Sequence, residues 1–302
     1  MYKVAVLITG SPRFIQQGAA WWNLHLPENF EFDLYGHCWN EHDDIGSLRY
    51  YNADFDINEN LFLNWNFKDL KITEHHFDFS IYDTAKKDPE SHLNQYLFWE
   101  KRRDHIISVH EADQLMKKSQ KEYDAVVMMR FDTVIKPGVL QEMIPFICNF
   151  KKSSTNKFSI GHDKALYWSV DNPQIWCPWV QVRSGLPVMQ DFFFVATWED
   201  WNRFTGKSLY NRYDQLLNKD YKLLDAIIFV KSTYHPHVFW ASLAFYSNAN
   251  YIGDSRLESC VFRSERNDID NITYDDIMLE FDEHFNELCK LYIDMGKIQG
   301  DL

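Results

Sequence analysis

Cysteine is scarce and scattered in this chain of 302 residues: Cys38, Cys148, Cys177, Cys260 and Cys289 are odd in number, and none stands in CxxC spacing. That argues against a disulfide framework and against a thiolate zinc site, and it favours a reducing compartment. No apolar stretch approaches the ~18 residues that a membrane helix requires. Met1-Tyr2-Lys3 leads straight into a strand-like segment too short for the apolar region of a signal peptide, so a cytoplasmic protein is expected. Positive charge is also lacking. The formal net charge is -13, and basic residues gather no further than Lys101-Arg102-Arg103 and Lys151-Lys152. Affinity for duplex DNA rests largely on Lys and Arg meeting phosphates, so nucleic acid and anionic membrane are disfavoured partners. There is no GxGxxG, no Walker A loop, no HExxH and no GxSxG, which removes direct support for a dinucleotide fold, a P-loop NTPase, a zincin or a Ser hydrolase. Neither an internal repeat nor a low-complexity tract occurs.

What is present is a globular composition. Apolar residues at 45% suffice for a sizeable core, and charged residues at 25% are ordinary. Aromatics reach 17%; most belong to a core, and a few have flat faces to offer a sugar or a base. Val4-Ala5-Val6-Leu7-Ile8, ended by Thr9-Gly10-Ser11-Pro12-Arg13, predicts a buried strand entering a tight turn. Residues 14–26 follow as a helix and 31–39 as a second strand closed by Gly36-His37-Cys38-Trp39. Leu70-Lys71-Ile72 reads as a weaker third strand, and the segment 43–66 as a long surface excursion. Residues 91–119 carry apolar positions at helical spacing. The apolar run Ala125 to Met129 then ends abruptly in Arg130-Phe131-Asp132. Strand–helix–strand alternation of this kind predicts an α/β fold with a mostly parallel, Rossmann-type sheet flanked by helices. The second half is less regular. Strands are expected over 158–161, 191–196 and 248–253, helices over 198–204 and 210–223, and an amphipathic closing helix over 274–295. A loop-rich insertion is expected around Trp168, Trp176 and Trp179, among Pro173 and Pro178.

In open α/β sheets ligands bind beyond the carboxyl ends of the strands, so the residues at those ends are the candidates. At the first, Gly10 allows close backbone approach, Ser11 offers a hydroxyl and Arg13 can grip a diphosphate; a plain turn is the alternative. At the second, Trp39 could stack on a base or sugar and His37 could donate a hydrogen bond, or His37 is a satisfied structural residue. Cys38 beside His37 is a nucleophile pair in name alone, because neighbours on a strand face opposite ways. At the fourth, Asp132 could hold a divalent metal through its oxygens while Arg130 meets a phosphate; an Arg–Asp ion pair closing the strand is the alternative. Asp191 opens the very apolar Phe192-Phe193-Phe194-Val195, where a carboxylate could orient an acceptor hydroxyl or act as general base, or simply cap a turn. His235-Pro236-His237 places imidazoles on opposite sides of an extended chain, so at most one, taken as His235, would contact a ligand.

In order and spacing, Gly10-Ser11-Pro12-Arg13, His37-Cys38-Trp39, Arg130-Phe131-Asp132 and Gln190-Asp191-Phe192-Phe193 resemble the glycosyltransferase-like proteins of bacteria and viruses of the WavE lipopolysaccharide-synthesis type, which look like GT-A nucleotide-sugar transferases. The likeness covers about residues 1–205. It implies one GT-A-like domain over 1–302, with a nucleotide-sugar-binding half (1–140) and an acceptor half (141–302) ending in the closing helix. It further implies a nucleotide-diphospho-sugar donor and a Mn2+ or Mg2+ ion at Asp132, the position of the last acid of the family's DxD. Here Arg130 occupies the first acidic position. Asp191 would serve the acceptor. A glycan hydroxyl is the family's usual acceptor; a hydroxymethylated base in DNA, as in phage-type enzymes, is the alternative, and a non-catalytic nucleotide-binding protein is a third reading.

Overall fold

The computed structural model describes residues 1–10, 12, 15–40, 59–74, 92–151, 171–178, 180–183, 186–189, 192–206 and 249–261. Val4 to Ile8 are fully buried, and each Val, Leu or Ile among them is stabilised by about 1.5–3 kcal/mol over exposure. A run apolar on both faces is satisfied only between two covering layers, and the chain provides them. The main sheet has seven strands: β1 (Tyr2–Gly10), β2 (Phe30–Trp39), β3 (Asp69–Thr73), β4 (Ala125–Arg130), β6 (Gln174–Cys177), β9 (Phe193–Thr197) and β10 (Asn250–Gly253). Their order is β10-β6-β9-β4-β1-β2-β3. Strands β4, β1, β2 and β3 are mutually parallel, as are β10 and β6. Strand β9 runs antiparallel to both its neighbours. The protein is thus α/β with a mostly parallel sheet, compatible with a Rossmann-like fold, and strands from both halves of the chain share that sheet.

Alternate side chains divide between two cores. Ala5, Leu7, Tyr35, Val126, Met128, Phe194 and Ala196 pack beneath α2 (His92–Lys118) and α4 (Trp198–Phe204). On the other face Val4, Val6, Ile8, Leu34, Val127, Met129 and Val195 meet α1 (Ile15–Leu24) and α3 (Val139–Cys148). Helix α2 stops where Gln120 takes a left-handed φ of 56° and its N–H closes on the Lys117 carbonyl. Helix α4 starts at Thr197, whose hydroxyl accepts the Asp200 N–H at 3.1 Å, as an N-cap should.

Three expectations are corrected. The surface excursion does not extend to residue 66: Glu59–Trp65 form a 3-10 helix that buries Phe62 and Trp65. The Trp65 indole donates to the Ile15 carbonyl at 2.9 Å, tying the segment to α1; aromatic burial without a clean period left no helical signature. The loop-rich insertion contains β6, inside the main sheet, with Trp176 at 1% exposure, and a hairpin of β7 (Val180–Arg183) and β8 (Leu186–Met189). A four-residue strand bracketed by prolines is too short to show alternation. The strand expected over 191–196 lies at 193–197 and is antiparallel, so it begins at the edge where β4 ends. A small second sheet, β5 (Thr133–Ile135) with β11 (Ser259–Val261), was not legible at all. The expected strand at 158–161 and the helices at 210–223 and 274–295 lie outside the described residues, as do Trp168 and Trp179. Among the described residues no helix is long and apolar enough to cross a membrane.

Candidate functional site

Register brings the candidate strand ends together. Thr9 of β1 is the partner of His37 on β2 and of Arg130 on β4. Thr9, His37 and Arg130 share the parity of the α2 face, so they form one row across the sheet at its carboxyl edge. Gly10 pairs with Cys38 one step further on. Gly10 has a φ of 104°, a conformation that side chains rarely adopt, and a Cβ there would face Arg130 Cγ at 3.8 Å. The chain therefore leaves β1 directly beside the arginine.

Arg130 is held on three sides. Its Nε and Nη2 donate to the two oxygens of Asp132 at 2.9 and 2.5 Å. Its backbone N–H goes to Thr133 Oγ1 at 3.1 Å, and that hydroxyl donates to the Phe192 carbonyl at 3.3 Å. The guanidinium carbon lies 5.9 Å from the Phe192 ring centre, at the outer reach of a cation–π contact. The antiparallel entry of β9 is what puts Phe192 there. The Arg130 side chain keeps 24% exposure, against 5% for that of Asp132. The closed Arg–Asp pair is thus the geometry found, with the carboxylate buried and the guanidinium partly exposed.

His37 is fully buried, and both ring nitrogens are occupied. Nδ1 lies 2.8 Å from Ser108 Oγ and Nε2 lies 2.9 Å from Thr73 Oγ1. The network assigns the tautomer. Ser108 donates its one proton to the His37 carbonyl at 3.1 Å and accepts the Gly10 N–H at 2.9 Å, so Nδ1 is the protonated nitrogen and Nε2 accepts from Thr73. Burial pushes the imidazole pKa down to about 4, with Glu111 opposing and Lys71 adding to the shift. His37 is therefore neutral at pH 7 and ties α2 to the ends of β1 and β2, with no ring nitrogen left to offer a ligand. Trp39 packs edge-on against it at 5.1 Å and is half-buried. Cys38 points into the opposite core, where burial raises its thiol to about 12. No thiolate nucleophile exists there.

Gly10, His37, Trp39, Arg130 and Asp132 are thus brought to one edge of the sheet, while Ser11, Arg13, Asp191 and His235 lie outside the described residues. Ser108, Thr73, Thr133 and Phe192 are part of the arrangement and were not singled out as site residues. Ser108 stands mid-helix, 71 positions from His37, and only the packing of α2 on the sheet connects them. Phe192 could have been suspected from its place beside Asp191.

The divalent metal expected at Asp132 does not fit the described residues. Both carboxylate oxygens face the guanidinium and the residue is 3% exposed, so a cation would have to displace Arg130 to reach them. Among the described residues no cluster of three or more His, Cys, Asp or Glu is placed to hold a metal ion. What the arrangement supplies is a positive, directional donor at the rim of a neutral strand-end row, suited to an oxyanion or a phosphate.

No protein-family model matches the chain, and a search of curated proteins returns no match. The residues themselves carry the functional reading.

Proposed function

We propose that this protein is a GT-A-like glycosyltransferase that moves a sugar from a nucleotide-diphosphate donor to a hydroxyl acceptor. The observation that carries the reading is the shared row at the carboxyl ends of β1, β2 and β4. There the backbone opens at Gly10 beside a cation, at the edge where open α/β sheets receive ligands. In the proposed reaction the acceptor oxygen bonds to the anomeric carbon as the bond to the β-phosphate oxygen breaks. The electron pair leaves with the diphosphate, and Arg130 meets the charge that develops there. The acceptor proton passes to Asp191, assigned on sequence grounds as the carboxylate preceding Phe192. Ser11 and Arg13, which follow Gly10, are assigned to the same diphosphate, and His235 to a looser donor contact. A glycan precursor is the proposed acceptor, because a net charge of -13 disfavours a DNA substrate.

The test is a thermal-shift screen of UDP-, GDP-, CMP- and dTDP-sugars, since a ligand that binds the native state raises its melting point. One nucleotide sugar should stabilise the protein and be consumed in the presence of a hydroxyl acceptor. A flat response across the panel sinks the reading; stabilisation with neither hydrolysis nor transfer, over a broad set of acceptors, identifies a silent nucleotide-binding protein instead.

A further inference from the structure

We propose that Ser108 is a positioning residue for the candidate site: from the middle of α2 it sets the backbone of Gly10 and the orientation of His37, so that binding at the carboxyl ends of β1 and β2 depends on a buried hydroxyl that no ligand touches. The inference rests on the nucleotide-sugar reading for its ligand and goes beyond it in naming what holds the receiving edge in shape. Three observations carry it. Ser108 is fully buried, and its hydroxyl makes three bonds to the sheet. It accepts the Gly10 N–H at 2.9 Å, meets His37 Nδ1 at 2.8 Å and donates to the His37 carbonyl at 3.1 Å. A serine inside a helix ordinarily turns its hydroxyl to a carbonyl of its own helix or to water; here it is committed to the strand ends. Gly10 takes a φ of 104°, so the bond to its N–H falls at the residue where the chain turns out of β1. His37 passes the constraint on, with Nε2 at 2.9 Å from Thr73 Oγ1 on β3. One helix residue thus ties together the ends of three adjacent strands.

A hydroxyl has one proton and two lone pairs, so this network uses the whole capacity of Ser108 and holds His37 as the Nδ1–H tautomer. Removing the hydroxyl therefore has a specific consequence. Nδ1 loses its acceptor, and the ring proton is better placed on Nε2, where Thr73 Oγ1 can accept instead of donate. The Gly10 N–H loses its acceptor in the same step, which releases the backbone at the end of β1. A residue that merely filled space would move neither.

The experiment combines nitrogen NMR of the full chain with calorimetric titration of UDP, GDP and dTDP, for the wild type, Ser108→Ala and Ser108→Thr. In the wild type the His37 ring should carry its proton on Nδ1 and the Gly10 amide should exchange slowly. In Ser108→Ala the proton should shift to Nε2, and Gly10 exchange should rise about tenfold or more. Affinity for the nucleoside diphosphate that the wild type binds should fall about three- to tenfold, the reach of a residue that touches no ligand. Ser108→Thr keeps the hydroxyl and should restore both the Nδ1–H tautomer and most of the affinity. A wild-type ring protonated at Nε2 overturns the proposal with no variant required, so the test stands even if Ser108→Ala fails to fold. A Ser108→Ala protein that changes tautomer yet binds the nucleotide as the wild type does overturns it too. The two readings fail separately. Unchanged nucleotide affinity in Ser108→Ala removes the positioning role and leaves the transferase. Wild-type protein that binds no nucleotide or nucleotide sugar sinks the transferase, and the tie through Ser108 is then decided by the His37 tautomer and the Gly10 exchange.

Discussion

The fold pairs Arg130 with a carboxylate that solvent hardly reaches, and the energetics of the two partners differ for that reason. An exposed ion pair contributes at most about 1 kcal/mol. Stripping the partner from a buried charge costs about 3–5 kcal/mol. Asp132 belongs to the second case and Arg130, a quarter exposed, sits between the two. Replacing Asp132 by Ala should therefore leave a folded protein with a loose arginine, and sugar transfer should fall by at least about tenfold, which is about 1.4 kcal/mol of transition-state stabilisation. Wild-type turnover by that variant would remove Asp132 from the site. His37 makes a separate prediction. Its folded pKa is about 4 against an ordinary 6.5, so between these values the unfolded chain takes up a proton that the folded one refuses. Stability is full above pH 6.5 and should decline toward pH 4 by roughly 3 kcal/mol, then level off in this contribution. Urea midpoints of the wild type and His37→Gln across that interval check it: the variant's profile should be flatter there. Asp33 acts in a lower window. Burial pushes its carboxyl up, but hydrogen bonds from Lys121 and Tyr123, with the charges of Lys121 and Lys68, outweigh burial and leave it below the usual range. Its contribution is present above about pH 3.8 and lost as pH falls further.

Among the elements, α1 shows how tightly the layers close. A Cβ built on Gly18 would lie 2.2 Å from the Phe131 carbonyl oxygen and 2.9 Å from Trp65. Alanine gains up to about 1 kcal/mol in helix propensity over glycine, whereas forced overpacking costs typically about 1–3 kcal/mol. The clash is with backbone of the turn that carries Asp132, so packing should win. Gly18→Ala is expected to lower the urea midpoint, and a midpoint at or above the wild type would show that α1 can shift outward freely. Helix α4 offers a smaller effect: Thr197→Ala removes the cap on Asp200 and should cost about 1 kcal/mol. Elements with long or unbroken patterns were legible in the chain. Strands β1 and β4 announced themselves as apolar runs and α2 as a long helical period; β4 and α2 lie within one residue of the expected ends, and β1 runs two residues further at each end. Strand β6 was not, because four residues buried on both faces present no alternation to read, and neither was the 3-10 helix, whose seven residues bury Phe62 and Trp65 alone.

At the scale of the whole molecule, two cores pack back to back on one sheet, and ligand binding at its carboxyl edge should register as global stability. A nucleotide sugar at about a hundred times its dissociation constant adds about 2.7 kcal/mol, enough for a melting-point rise of several degrees. Retention on DNA–cellulose should be negligible at low ionic strength; salt-sensitive retention would favour the modified-base acceptor. The sequence by itself determined the class of the fold and which strand ends carry polar residues, because burial on both faces of a parallel sheet writes itself as continuous apolar runs with abrupt ends. It could not decide whether Asp132 binds a cation or an arginine, or whether His37 faces a ligand or a serine. Those outcomes depend on contacts between segments far apart in the chain: α2 brought Ser108 to His37, and the antiparallel entry of β9 brought Phe192 to Arg130. Partners that distant leave no local pattern, so tertiary packing alone settled what each strand-end side chain touches.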